Sequence, residues 1–111
     1  VSAITTHVLD TARGRPAAGI DVVLERAGDS GWEVVGRGTT DGDGRLRDLL
    51  GDGAPTTGRY RLTFDTGAYF AAAGERAFYP EVIVVFAVDG DEHHHVPLLL
   101  SPFGYSTYRG S

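Results

Sequence analysis

No cysteine and no lysine occur among the 111 residues. Without cysteine the chain has no disulfide, no thiolate metal site and no cysteine nucleophile, which fits a reducing compartment. Without lysine there is no Schiff-base chemistry and no P-loop lysine; all ten basic residues are arginine. Positive charge is in deficit as well. A net charge of -5 and a pI near 5.2 argue against a nucleic-acid footprint. Long apolar runs are also missing: the longest, Val82 to Val88, is far too short to cross a bilayer. No repeat, low-complexity segment or linker interrupts the chain. No leader-like segment is visible from Val1, and the expected compartment is cytoplasmic, with a periplasmic one open if a signal peptide has been removed.

What is present reads as one domain spanning residues 1–111, long enough to bury a core with a modest margin. Ile4 to Leu9 is β-branched and strand-like, with Ile4, Thr6 and Val8 on one face and Thr5, His7 and Leu9 on the other. Arg13-Gly14-Arg15-Pro16 and Gly19 mark a turn. Ile20 to Arg26 and Trp32 to Thr40 are strands around a Gly28–Gly31 hairpin turn. Asp41 to Arg45 (DGDGR) is a tight turn, and Leu46 to Gly58 a glycine-rich connection with room for a short edge strand. Tyr60, Leu62 and Phe64 alternate with polar residues in a further strand. Thr66 to Glu75 is the one helix candidate, capped by Asp65 or Thr66 and ended by Gly74. Pro80 to Val88 is apolar on both parities after Glu81, which predicts a strand covered on both sides, the second side at a subunit interface. Val96, Leu98 and Leu100 form an inward face, His93, His95, Pro97 and Leu99 the opposite one, and Tyr105 to Arg109 a last short strand. Seven or eight short strands with regular turns and one short helix point to an all-β sandwich.

Chemistry concentrates near the C-terminal end, which holds three of the four histidines. His93 and His95 share a strand face and His94 takes the other. With His7 the pair could supply a zinc site; the competing reading is polar residues at a turn edge beside Asp91 and Glu92. Arg45 closes a glycine turn, where arginine is usually solvated and inert but can also aim a planar fork of donors at an oxygen-rich ligand. Asp41-x-Asp43-Gly44 fails the EF-hand pattern at Arg45 and Leu46. The serines with a histidine form no nucleophile-elbow pattern. Tyr108-Arg109-Gly110-Ser111 puts a phenol, a guanidinium and, taken as the chain end, a carboxylate within four residues.

Thr5-Thr6-His7-Val8-Leu9-Asp10, Thr40 to Leu46 (TDGDGRL), Phe78-Tyr79-Pro80-Glu81, and His95 to Pro102 through Tyr108-Arg109-Gly110-Ser111 together resemble the 5-hydroxyisourate hydrolases, the transthyretin-related enzymes of purine breakdown. The resemblance covers essentially the whole chain. Its most specific motif is the Tyr-Arg-Gly-Ser ending, which hormone-carrier transthyretins lack. It implies a transthyretin-like Greek-key β-sandwich with one short helix. It also implies a homotetramer built as a dimer of dimers, with sites in the channel between dimers. The implied reaction is hydrolysis of 5-hydroxyisourate to 2-oxo-4-hydroxy-4-carboxy-5-ureidoimidazoline on the way from urate to allantoin, with no metal or organic cofactor and no nucleic-acid or membrane partner. The implied catalytic residues are His7, Arg45, His95 and Ser111. The implied substrate contacts are His7, Arg45, Tyr108 and Arg109. The family often has His-Tyr-His where this chain has His93-His94-His95, and a shorter turn before the arginine.

Attack of water on a cyclic amide needs a base with a near-neutral pKa, which His7 or His95 supplies, and positive charge at the developing oxyanion, which Arg45 supplies. Three rival readings remain at this level: a transthyretin-like small-ligand carrier without catalysis, a structural accessory module, and a zinc hydrolase using His7, His93 and His95.

Overall fold

A computed structural model describes residues 3–50, 55–90 and 92–111. The elements are β1 (Ile4–Asp10), β2 (Arg15–Pro16), β3 (Asp21–Gly28), β4 (Gly31–Thr39), β5 (Arg45–Leu46), β6 (Gly58–Phe64), α1 (Thr66–Ala72), β7 (Val82–Val88), β8 (His94–Ser101) and β9 (Gly104–Thr107). They form two packed sheets. One has the order β2-β1-β8-β9, with β5 also on β1; the other has the order β4-β3-β6-β7. The chain crosses between sheets after β2, on either side of β5 and again after β7, so neighbours in space are often distant in sequence. The result is a Greek-key sandwich with one short helix.

The core follows strand parity. Ile4 and Val8 of β1, Val22 and Leu24 of β3, Tyr60, Leu62 and Phe64 of β6, and Val96, Leu98 and Leu100 of β8 are all buried between the sheets. Each such side chain contributes about 1.5–3 kcal/mol through removal from water. Helix α1 starts at Asp65, whose carboxylate accepts the Ala68 N–H at 3.2 Å. It buries Phe70, and Tyr69 donates from its hydroxyl to Asp10 Oδ2 at 2.8 Å. Asp10 is only 1% exposed; its other oxygen accepts the Arg13 N–H. Burial, and then the bond to Asp10, push the Tyr69 phenol up to about 12. The helix is shorter than the ten-residue expectation because the backbone turns out at Ala73 and Gly74.

Strand β7 is apolar on both parities, as its sequence indicates, and one protomer covers one of them. Val82 and Val88 are buried, but Ile83 and Val85 are 45% and 53% exposed. Among the described residues the outer side of β7 is therefore largely uncovered within one protomer, and β7 is also the edge of its sheet. Among the described residues no helix is long and apolar enough to cross a membrane.

Two features of the β2-β1-β8-β9 sheet shape its outer surface. The first is the Asp41–Arg45 turn. Asp41 Oδ1 accepts the backbone N–H groups of Asp43 and Arg45 at 2.9 and 3.0 Å, and these bonds hold its carboxyl below the usual range, the one from Arg45 foremost. Gly44 sits at a φ of 74°, and a Cβ there would lie 2.4 Å from the Val8 carbonyl oxygen. Only glycine allows both the left-handed backbone and this close approach, which lays β5 directly on β1. The second feature is Pro97. The β8–β9 ladder runs from Ser101↔Gly104 to Leu98↔Thr107 and stops where Pro97 lacks an N–H. Tyr108 and Arg109 leave the sheet, and the chain returns at His95, whose carbonyl accepts the Gly110 N–H at 2.9 Å.

Candidate active site

Three adjacent strands build the site. In the antiparallel β1–β5 pair His7 stands opposite Arg45; in the parallel β1–β8 pair Thr5 stands beside His95. Neighbouring strands lie about 4.8 Å apart, so the outer face carries Arg45, His7, Thr5 and His95 as one cluster. His93, two residues before His95, shares that face. Its ring stacks on that of His95 with centroids 6.3 Å apart and planes inclined by 24°. A cavity of about 230 Å³ opens here, lined by Thr5, Thr6, Arg45, Arg47, His93, His95 and Ser111.

Hydrogen bonds constrain the imidazoles. His7 Nε2 is 2.9 Å from the Asp43 carbonyl oxygen. A carbonyl only accepts, so Nε2 carries the proton, and Nδ1 is the basic nitrogen of the neutral ring. His95 Nδ1 is 2.8 Å from Thr5 Oγ1, and His93 Nε2 is 2.9 Å from the same oxygen. The pKa of His95 is lowered, first by burial and then by His93, Arg45 and His7. Each of those neighbours disfavours a further positive charge. A neutral, basic imidazole beside a permanent cation is thus the resting state at neutral pH.

The sequence-derived residues divide between two places. Arg45, His95 and Ser111 share the cavity. His7 does not line it, but is held against Arg45 by strand register. Tyr108 and Arg109 border a second, more apolar cavity of about 220 Å³, with Val84 and Phe86 of β7, and His95 is a wall of both. Tyr108 is 57% exposed. Arg109 donates to Glu92 at 2.8 Å in an exposed ion pair that solvent screens. Among the described residues no three His, Cys, Asp or Glu side chains gather at metal-ligating spacing. His94 lies on the core face, 4% exposed, and donates from Nδ1 to the Glu92 carbonyl at 2.8 Å. Sequence reasoning left Thr5, Arg47 and Gly110 out of the site. Parity alone placed Thr5 on the face of His7; its partnership with two histidines required the β1–β8 register, which no local pattern encodes.

A two-layer Greek-key sandwich with a titratable, cationic cluster on the outer face of one sheet defines a transthyretin-like protein equipped for acid–base chemistry. The chain belongs to the HIUase/Transthyretin family, whose model matches residues 4–110. A 5-hydroxyisourate hydrolase of Salmonella dublin is 48% identical over 109 residues, covering 97% of this chain and 80% of that protein. The solved structure of Klebsiella pneumoniae 5-hydroxyisourate hydrolase is 38% identical with a TM-score of 0.86, covering 97% of this chain and 98% of the other. Sea bream transthyretin in complex with thyroxine superposes with a TM-score of 0.91 at 32% identity, over 97% and 94% of the two chains. The backbone alone therefore does not separate hydrolase from carrier.

Proposed function

We propose that this protein hydrolyses 5-hydroxyisourate to 2-oxo-4-hydroxy-4-carboxy-5-ureidoimidazoline. The observation that carries the reading is the pairing, in one cavity, of Arg45 with a histidine, His95, whose proton affinity is lowered. Water is activated as a histidine takes its proton. The new C–O bond forms at the ring carbonyl, and the oxyanion develops where Arg45 supplies charge. Collapse breaks the C–N bond, and the same histidine returns the proton to the leaving nitrogen, so atoms and charge balance. His95 is favoured as the base: it is largely neutral at pH 7, and its Nε2 is left free by the Thr5 contact. His7, oriented by Asp43, then positions the substrate. Ser111 borders the same cavity and completes the set of catalytic candidates.

The carrier reading draws on the backbone match to transthyretin. It fits poorly with a cavity bordered by two arginines and two histidines, which an apolar ligand would have to desolvate. A spectrophotometric assay with freshly generated 5-hydroxyisourate separates the two. Accelerated loss of substrate by chelator-treated protein supports the proposal; tight thyroxine binding without turnover supports the carrier. Activity that vanishes with chelator and returns only with zinc would favour the zinc hydrolase.

The proposal includes a homotetramer. The outer side of β7 is apolar and uncovered, and both β7 and β9 end their sheets with unpaired edges, which are ready partners for a second copy. Tyr108 and Arg109, turned away from Arg45, would then contribute substrate contacts to a site shared between subunits. Sedimentation of an active monomer would overturn this part. A cytoplasmic location belongs to the same proposal and is tested by cell fractionation.

A further inference from the structure

Thr5 holds an unusual position. Its hydroxyl oxygen is 2.9 Å from His93 Nε2 and 2.8 Å from His95 Nδ1, and the residue is 4% exposed. A hydroxyl has one proton to give. It can donate to only one ring, so at least one ring donates an N–H to it. Two proton orders use the Thr5 proton within the trio: His95 Nδ1–H to Thr5 to His93 Nε2, or the reverse. The first leaves His95 Nε2 as a lone pair, the form a base requires. The second leaves Nε2 as an N–H, the form an acid requires.

We infer that Thr5 is a positioning residue that joins His93 and His95 into one proton-sharing unit and selects the tautomer of His95. The inference rests on reading this site as a hydrolase. When His95 Nε2 takes a proton from water, its Nδ1 proton passes to Thr5 Oγ1, and the Thr5 proton passes to His93 Nε2. One proton has entered. His95 is neutral again with Nε2–H, and the positive charge sits on His93, the more exposed ring. The charge so moves away from Arg45, while an N–H stays poised for the leaving nitrogen. Arg45 and Arg47 from the β5 side, His7 from β1 and Arg109 from the tail all border His95. A proton retained on that ring faces several cations, and a path to His93 relieves this.

The test compares Thr5→Val, which keeps shape and β-branching, with Thr5→Ser, which keeps the hydroxyl, and with Thr5→Ala should the valine variant fold poorly. Long-range nitrogen–proton NMR of the imidazoles reads the tautomers without substrate, so it stands even if isourate proves not to be the substrate. In wild type, neutral His95 should be in the Nδ1–H form, and in Thr5→Val it should shift to Nε2–H. In the assay, Thr5→Val should lower kcat about ten- to a hundredfold with KM little changed and should alter the pH profile, while Thr5→Ser recovers most of the loss. An unchanged His95 tautomer and pH profile in Thr5→Val, or a serine variant as impaired as the valine one, would overturn the inference.

Discussion

Replacing Gly110 with alanine should disable the site while leaving the fold intact. A Cβ at Gly110 would lie 2.5 Å from His95 Cδ2 and 3.2 Å from Pro97 Cγ. Carbon atoms begin comfortable contact near about 3.5 Å, so about 1 Å of relief is needed at the imidazole. The Gly110 backbone lies outside the left-handed region, so alanine adds a steric effect and no dihedral strain. Pro97 is clamped in β8, so the strain falls on the His95 ring or on the tail. Either movement damages the site: a turned ring loses its Thr5 contact, and a lifted tail withdraws Ser111 from the cavity and breaks the Gly110–His95 backbone bond. Misplacement by about 1 Å typically costs on the order of a hundredfold, so kcat/KM should fall by about that factor. Global stability should change by less than about 1 kcal/mol, because the neighbours Arg109 and Ser111 are exposed and few core contacts are involved. The isourate assay measures the first quantity and thermal unfolding by circular dichroism the second. Activity within about twofold of wild type would refute the reasoning, since the tail would not need to approach His95 so closely. Loss of folded protein would refute it differently, by making the tail part of the fold.

Three other outcomes follow from the same geometry. His94 faces the core and borders the second cavity, so His94→Tyr should leave kcat/KM nearly unchanged, whereas His95→Ala should lower it about a hundredfold or more; equal losses in steady-state assays would mean that the β8 faces are exchanged. Arg45 is one cause of the lowered His95 pKa, so Arg45→Gln should raise that pKa; since the base acts when neutral, the acid limb of kcat/KM should move to higher pH as total activity falls, and a limb that stays put or moves lower would count against His95 as the base. Tyr69→Phe removes the hydroxyl donor to buried Asp10 and should cost about 1–3 kcal/mol in denaturant unfolding with kcat/KM unchanged; loss of activity at full stability would contradict its purely structural place.

The lowered pKa of His95 also bears on stability. The folded state binds fewer protons than the unfolded chain just below the ordinary histidine pKa, so this group favours folding at higher pH and its contribution falls as pH drops through that range.

Much of the site was legible because strand parity is local. Placing His7 opposite Val8, His95 opposite Val96, and His94 apart from its neighbours needed only the alternation of side chains along β1 and β8. Pro97 in an apolar strand was visible, but its effect depends on where β9 stops, which is a register property. The pairing of β5 with β1 was hidden because two residues carry too little pattern; Gly44 enforces it through a close approach that a sequence does not display. Tyr108 and Arg109 were grouped with Arg45 by the family resemblance. In the structure the proline break sends them to the opposite side of His95. The double apolar parity of β7 was correctly seen, but one protomer covers only one of its sides.

The β1–β8 pairing has a consequence for how the molecule comes into being. Thr5 and His95 touch across 90 positions of sequence, so β1 waits for its parallel neighbour until β8 has been made. Until then β1 has no parallel neighbour, and Ile4 and Val8 lack the packing that β8 supplies. Contacts between such distant segments are slow to form, and an unpaired apolar strand is vulnerable to aggregation meanwhile. The Thr5–His95 part of the site is thus acquired only when β8 has docked beside β1.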